Sequence, residues 1–416
     1  RYFNQLFSNE KNVTLIQNYF PHPDVKRRNM GYAVDSLLNT NLFSTEKNNF
    51  NISKLLAGSE GTLSMFSEIK LNLIELSSQE QGLLCVHLNS LFDAFAANLI
   101  ALKHNPTSIE LMDKAILDLT KENFTQRRNR FFVEGDPAAI MIVEIWGNDK
   151  NEIIKKAKKI EEELKDNGYG YAFPLIFGPD MNKVWALRKA GLGVLSNMVG
   201  DAKPVAVIED TAIRPADLAN FIKDLNKELE NLNLSCVYYG HLATGELHLR
   251  PVLNLKSSND IKRFRTIAEK TAELVKKYRG SLSGEHGDGR LRGEFIPIVF
   301  GEEIYSIFKE IKQNWDPNNI FNPGKIVDSP PMDSSLRYIP DRSTPNITTY
   351  YDFSDELGMI RAIEKCNGSA DCHKLHWATG GMCPSYQASL DEKNSTRARA
   401  NVLREILTNN RNKNIF

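Results

Sequence analysis

The sequence predicts an α+β fold in which helices cover one face of a mainly antiparallel sheet. Two observations carry that prediction. Short apolar runs with polar edges alternate with helical patterns from about residue 80 to residue 326, as strand–helix–strand units do. In the last helical pattern Ile261, Phe264, Ile267, Ala268, Leu274, Val275 and Tyr278 recur at helical spacing, so one face packs on a sheet.

The elements follow in chain order. Residues 1 to about 75 are irregular and polar, closing with LLAGSEGTLSMFSEIKLNLIE, a glycine-punctuated turn and an apolar run. LLCVHL (83–88) reads as a strand and leads into a helical pattern near 90–103. AAIMIVEIW (138–146) is a second strand, followed by a lysine- and glutamate-rich helix near 150–166. VWALRKAGLGVL (184–195) places Arg188 on a helix, and Lys203 immediately precedes the strand PVAVIED (204–210). DLANFIKDLNKEL (217–229) is helical, SCVYYG (235–240) is a strand, and a short apolar run reads as a strand before SGEHGDGRLRGEF (283–295). After Lys325 the text becomes rich in proline, serine and aspartate, and reads as an extended linker into a small cysteine-bearing helical segment.

Composition limits the classes of function. With 416 residues, 41% of them hydrophobic, the chain can bury a large core in roughly two or three domains. Lysine plus arginine and aspartate plus glutamate both number 52, so nothing marks a scavenger of nucleic acid or anionic membrane. No run approaches the roughly 20 apolar residues of a membrane span, and RYFNQLFSNEKN lacks the pattern of a signal peptide. The chain therefore reads as soluble. Of five cysteines, Cys85 and Cys236 lie in strand-like runs as buried thiols. Cys366, Cys372 and Cys383 cluster, which favours metal ligation over disulfides.

The histidines suggest chemistry. YYGHLATGELHLRP (238–251) puts His241 at a strand end and His248 seven residues later across a glycine-containing turn. With Glu285 as a carboxylate, the pair makes a three-ligand divalent site with an open position for substrate. A metal there would lower the pKa of a bound hydroxyl and leave His286 as the nearby general base. The same spacing also suits histidines that cap strands and a His286 bonded to a backbone carbonyl. Arg188, Lys203, Arg250 and Arg290 together would form a cationic pocket for a carboxylate, since guanidinium binds carboxylate bidentately. Alone, Arg188 and Lys203 each read as a solvated surface charge rather than an anion ligand. DPNNIFNPGK (316–325) is a turn-rich terminator that Asn322 and Lys325 could cap locally, and GDGRLRG has the wrong glycine spacing for a dinucleotide fingerprint.

GSEGTL (58–63), ELMD (110–113), VWALRKAG (184–191), GHLATGELH (240–248), GSLSGEHGDG (280–289) and DPNNIFNPGK (316–325) occur in the order found in FAD-linked oxidases of the vanillyl-alcohol-oxidase type. The chain resembles their D-2-hydroxyacid dehydrogenase branch. Its last region, with CNGSADC, GGMCPSY and DEKNSTRARANVLRE, is similar to the start of the ferredoxin-like domain in fused members that carry FAD and iron–sulfur modules together. The resemblance implies four regions: 1–75 as the C-terminal part of an FAD-binding domain, 76–326 as the substrate (cap) domain, 327–355 as a linker and 356–416 as the beginning of an iron–sulfur domain. The chain would then be a fragment of a larger enzyme.

The same resemblance implies a mechanism and its cofactors. FAD would lie against Gly58, Ser59, Glu60, Gly61, Thr62 and Asn322. A divalent metal, Zn or Mn, would be held by His241, His248 and Glu285. The carboxylate of a small D-2-hydroxyacid would bind near Arg188 and Lys203, and His286 would take the hydroxyl proton while hydride passes to flavin. Cys366, Cys372 and Cys383 would ligate a 4Fe-4S cluster, an incomplete set because such clusters take four thiolates. Electrons would go on to a quinone or carrier protein. The location implied is cytoplasmic or peripheral to the inner membrane, and a homo-oligomer is compatible with it. Thr244 and Glu246 stand where the family commonly has aspartate and asparagine, and Arg250 where simpler members have a polar amide. Arg250 and Arg290 could serve a second carboxylate, which favours 2-hydroxyglutarate over lactate. Two other classes stay open: a metal-dependent hydrolase, and a non-catalytic electron-transfer or assembly subunit.

Overall fold

The computed structural model describes residues 2–38, 50–74, 80–377 and 381–409. Its centre is an eight-stranded sheet of β1 (Glu80–Leu88), β2 (Ser108–Asp113), β3 (Ala139–Gly147), β4 (Leu175–Phe177), β5 (Lys203–Pro204), β6 (Ile208–Ala212), β7 (Cys236–His241) and β8 (Glu246–Leu253). The order is β4-β1-β3-β2-β7-β8-β5, with β6 also paired to β8. Every pairing among these strands is antiparallel.

The helices that frame the sheet are α1 (Glu10–Tyr19), α2 (Leu91–Leu102), α3 (Lys114–Glu122), α4 (Lys150–Asp166), α5 (Asp180–Ser196), α6 (Leu218–Asn231), α7 (Ser258–Lys277), α8 (Glu302–Trp315), α9 (Met359–Glu364) and α10 (Thr396–Asn409). Several start where a side chain satisfies the free amides of the first turn. Ser90 accepts from Asp93 N at 3.1 Å, Asp113 from Ile116 N at 3.0 Å, and Asp149 from Glu152 N at 2.8 Å.

The main helical layer, α2, α4, α6 and α7, buries one sheet face through Leu84, Val86, Leu88, Leu111, Met141, Val143, Leu247 and Leu249. A second, smaller layer stands on the opposite face, which the sequence reading did not place. There Leu117 of α3 and Met181, Val184 and Leu187 of α5 pack on Leu83, Cys85, Met112, Ile140 and Ile142. The reason is in the strands themselves: β1 and β3 are apolar at successive positions, so both faces must be covered. This second layer matters for function because α5 carries Arg188.

Two local expectations change. PVAVIED is not one strand: the chain leaves β5 after Pro204 and re-enters the sheet at Ile208. The run before SGEHGDG is not a strand either, and meets the sheet through a single bridge between Ser281 and Ala212.

Both flanking regions rest on this core. Phe20 and Tyr32 pack against Phe300 and Phe308, with ring centroids 4.8 Å apart for Phe20–Phe300 and 5.6 Å for Tyr32–Phe308. On the other side Lys256 Nζ reaches Asp201 at 2.8 Å and Glu364 at 2.7 Å, tying the C-terminal helices to the sheet domain. Among the described residues no helix is long and apolar enough to cross a membrane.

Candidate functional site

Register brings the site together. Glu110 on β2 lies directly opposite His241 on β7, and His248 on β8 lies opposite Tyr239 on one side and Glu209 on the other. Residues opposite one another in an antiparallel ladder share a face, so the strands deliver their polar side chains to one place. The β7–β8 connection is tight. Gly245 has φ +71°, and a Cβ there would meet Ile213 O at 1.8 Å, so only glycine fits.

The loop 283–289 closes over this cluster. It is gripped by Asp210, the extra residue of a bulge in β6 with φ +79°. Its buried carboxylate accepts from Ser283 Oγ at 2.6 Å, Glu285 N at 3.0 Å and His286 N at 2.9 Å. Burial raises its pKa, but Glu246 and these donors outweigh burial and hold Asp210 below the usual carboxylate range. Gly284 lets the loop pass close to Glu246, since a Cβ there would meet Glu246 Cδ at 2.8 Å. The far end of the loop is held by Glu60, whose Oε1 accepts from Asp288 N at 2.6 Å and whose Oε2 accepts from Gly289 N at 3.0 Å.

Four predicted residues converge. Glu285 Oε1 lies 3.5 Å from His241 Nε2, 4.0 Å from His248 Nε2 and 3.6 Å from His286 Nε2. The His248 and His286 rings stack with centroids 5.3 Å apart. Candidate ligand atoms of His241, Glu246, His248 and Glu285 all lie within 4.8 Å of one another. Burial, with His241 and His286 adding, lowers the His248 pKa to about 3, so the ring is neutral as a metal ligand must be. Its Nδ1 is buried without a hydrogen-bond partner. Two imidazoles and a carboxylate of this kind fit Zn or Mn. Glu246, fully buried, has its pKa pushed up to about 9 by burial, with Asp210 and Glu285 adding.

The arginines are not the bare cationic pocket expected from the sequence. Arg188 Nη2 pairs with Glu110 Oε2 at 2.9 Å, and Arg250 pairs with Glu209 while its Nε donates to Tyr239 Oη at 2.9 Å. A guanidinium this far from bulk water needs a carboxylate partner, and the pairing strands supply one in each case. Arg188 still presents a buried Nε without a partner. Lys203 and Arg250 line a cleft of about 480 Å³ together with Leu253, Tyr338 and Lys365. Arg290 is exposed and does not line this cleft.

Among the residues expected to meet FAD, Gly58, Glu60 and Gly61 all have positive φ, and Gly61 faces open space. Ser59 is buried, and Thr62 Oγ1 meets Tyr32 Oη at 2.7 Å. Asn322 Nδ2 donates to Glu60 O at 2.7 Å, so the two predicted flavin segments touch. Bare backbone facing outward at Gly61, beside an anchored turn, fits one edge of a flavin. In the C-terminal segment, Cys366 and Cys372 line one cavity of about 640 Å³. Cys383 lies outside that lining, its sulfur 3.3 Å from Ser385 Oγ and its pKa lowered to about 6 by that contact. Two of the three thiols thus line one cavity and the third does not.

Sequence reasoning missed Glu110, Glu209, Asp210 and Arg27. Arg27, from the N-terminal region, pairs with Glu285 and brings its Nε to 3.7 Å from Glu246. Glu110 lies in ELMD, one of the ordered motifs, but the sequence reading gives it no role there. The others depend on pairings distant in sequence.

Residues 78–326 match the model of the FAD linked oxidases, C-terminal domain. The chain is 32% identical to D-2-hydroxyglutarate dehydrogenase of Haemophilus influenzae over 98% of its own length and 39% of that protein. It is 30% identical to D-2-hydroxyglutarate dehydrogenase of Pseudomonas putida, covering 96% of the chain and 39% of the relative. It thus spans about two fifths of the length of these curated relatives. Among solved structures, 4-ethylphenol oxidase from Gulosibacter chungangensis in its isoeugenol complex matches with a TM-score of 0.45 and 13% identity, over 60% of this chain and 54% of that one.

Proposed function

The chain belongs to the family of FAD-linked oxidases through their C-terminal domain, and from that premise we propose that it carries the substrate-binding part of an FAD-dependent dehydrogenase oxidising a D-2-hydroxyacid to the 2-oxoacid. One observation supports this above the rest: His241, His248, Glu285 and His286 converge beside a half-buried arginine. When bound, flavin accepts the C2 hydride and a divalent metal polarises the C2 hydroxyl.

The chain's own residues do the rest. Arg188, whose buried Nε has no partner in the protein, takes the substrate carboxylate. His241, His248 and Glu285 hold the metal, and His286 takes the hydroxyl proton at Nε2. Glu209 Oε1, 3.3 Å from His286 Nδ1, favours the tautomer whose Nε2 lone pair is free. Glu285 and His286 are thus neighbours because they serve the metal and the proton of one hydroxyl. The flavin side is formed by Gly58–Thr62 and Asn322.

D-2-hydroxyglutarate is the favoured substrate. The relatives above carry that name, and the cleft with Lys203 and Arg250 leaves room for a second carboxylate. Residues 1–75 are read as the end of an FAD-binding domain and 356–416 as the start of an iron–sulfur domain. A cluster, when bound near Cys366 and Cys372, would carry electrons singly to a quinone or carrier protein. The family match speaks against the hydrolase alternative.

The test is anaerobic flavin bleaching in the whole protein, with FAD and metal both bound, by D-2-hydroxyglutarate, D-lactate and their L-enantiomers. Rapid bleaching by one D-acid is expected. No bleaching by any of the four overturns the reading.

A further inference from the structure

We infer that Glu110 is a positioning residue whose single carboxylate yokes the metal-binding His241 to the substrate-binding Arg188. The inference rests on the reading of those two residues given above and adds a third that neither motif spacing nor composition assigns.

The geometry is specific. Glu110 Oε1 lies 2.7 Å from His241 Nδ1, and Glu110 Oε2 accepts from Arg188 Nη2 at 2.9 Å. These groups come from three different elements: β2, β7 and α5. The Glu110 and Arg188 side chains are each only 12% exposed, so water competes poorly for either bond. Arg188 is further fixed by its guanidinium lying 5.2 Å from the Tyr239 ring centroid.

Each bond has a chemical consequence. With its Nδ1–H donated to Glu110, His241 is held in the tautomer whose Nε2 lone pair faces Glu285 Oε1, 3.5 Å away. A carboxylate behind a ligating imidazole fixes its orientation and raises its basicity. On the other side Glu110 takes up Nη2 of Arg188, and the buried Nε of that guanidinium has no partner in the protein. Glu110 also balances the guanidinium charge while no substrate carboxylate is present. One residue thereby sets the direction of both the metal ligand and the carboxylate ligand, and places the hydroxyl and the carboxylate of one small acid at a fixed separation.

Two variants separate the bonds. Glu110→Ala removes both; Glu110→Gln keeps the volume but has one acceptor oxygen for two donors. The measurements use the full-length FAD-loaded protein stripped of metal. Zn2+ and Mn2+ affinities are read by chelator competition, and kcat and KM for D-2-hydroxyglutarate are then read at saturating metal. E110A is expected to weaken metal binding about 10- to 100-fold and, once metal is restored, to raise KM more than it lowers kcat. E110Q should lose one of these two properties and largely keep the other. His241→Ala is the control for the underlying reading. If H241A abolishes metal binding while E110A and E110Q leave metal affinity and KM unchanged, Glu110 does not position either partner and the inference is overturned. If H241A leaves metal binding intact, the metal reading itself fails and takes the inference with it.

Discussion

At His286 the two ring nitrogens have different neighbours, Glu209 at 3.3 Å and Glu285 at 3.6 Å, and that asymmetry sets what a mutation should do. His286→Gln removes the proton acceptor and leaves the three proposed metal ligands. Flavin reduction by the D-acid should fall by about 100-fold or more, with bound metal unchanged in stoichiometry. Stopped-flow absorbance and metal analysis on the same preparation check this, and a rate within a few-fold of wild type would remove His286 from its role. The residue scale also shows where the sequence was legible. His241, His248, Glu285 and His286 lie in short motifs whose residue types and spacing marked them as one candidate cluster, and the structure brings them together. Glu209 and Asp210 are not legible in that way, since a carboxylate in a strand-like run reads as an edge residue until pairing with β8 and the bulge in β6 turn it inward.

At the scale of elements, Asp113 is where β2 becomes α3 and where that unit is fastened to β7. Its Oδ1 caps α3 through Ile116 N at 3.0 Å, and its Oδ2 accepts from Tyr238 N at 2.7 Å. Losing the cap costs about 1 kcal/mol, and leaving the amide of Tyr238 unpaired adds about 1 to 3 kcal/mol. Asp113→Ala should therefore destabilise the protein by about 2 to 4 kcal/mol in urea melts at neutral pH, and a change under about 0.5 kcal/mol would show that the junction is not held there. The periodicity of α7 and the strand character of β1 and β3 were plain from the sequence. The second helical layer was not, because an apolar run reports how many faces are buried only when its neighbours are known.

At the scale of the molecule, a small charge network ties the C-terminal helices to the sheet domain. Asp201 bonds Arg361 at 2.9 and 2.8 Å and Lys256 at 2.8 Å. The Arg361 bond, with Lys256, holds the Asp201 pKa at about 2, against burial, below its ordinary value of about 3.9. A depressed carboxylate contributes stability above the unfolded pKa and loses it as pH falls through the folded one. Docking of residues 356–409 should therefore weaken between about pH 4 and pH 2, seen as rising hydrogen exchange in α9 and α10 while β1 and β3 stay protected. Asp201→Asn should bring a several-fold rise in that exchange at neutral pH, and unchanged exchange would assign the docking to other contacts.

The sequence by itself determined the α+β class, the strand character of β1 and β3, the buried face of α7 and the family resemblance, because these depend on local periodicity, residue type and the order of short motifs. Only the tertiary structure decided that each site arginine carries a carboxylate, that Asp210 and Glu60 clamp the two ends of the 283–289 loop, and that Glu110 stands between His241 and Arg188. Those relations depend on strand register, a bulge and the placing of α5 on the second sheet face. They join residues far apart along the chain, such as Glu60 with Asp288 and Glu110 with His241, and local sequence patterns hold no information about which distant partners the packed sheet will bring together.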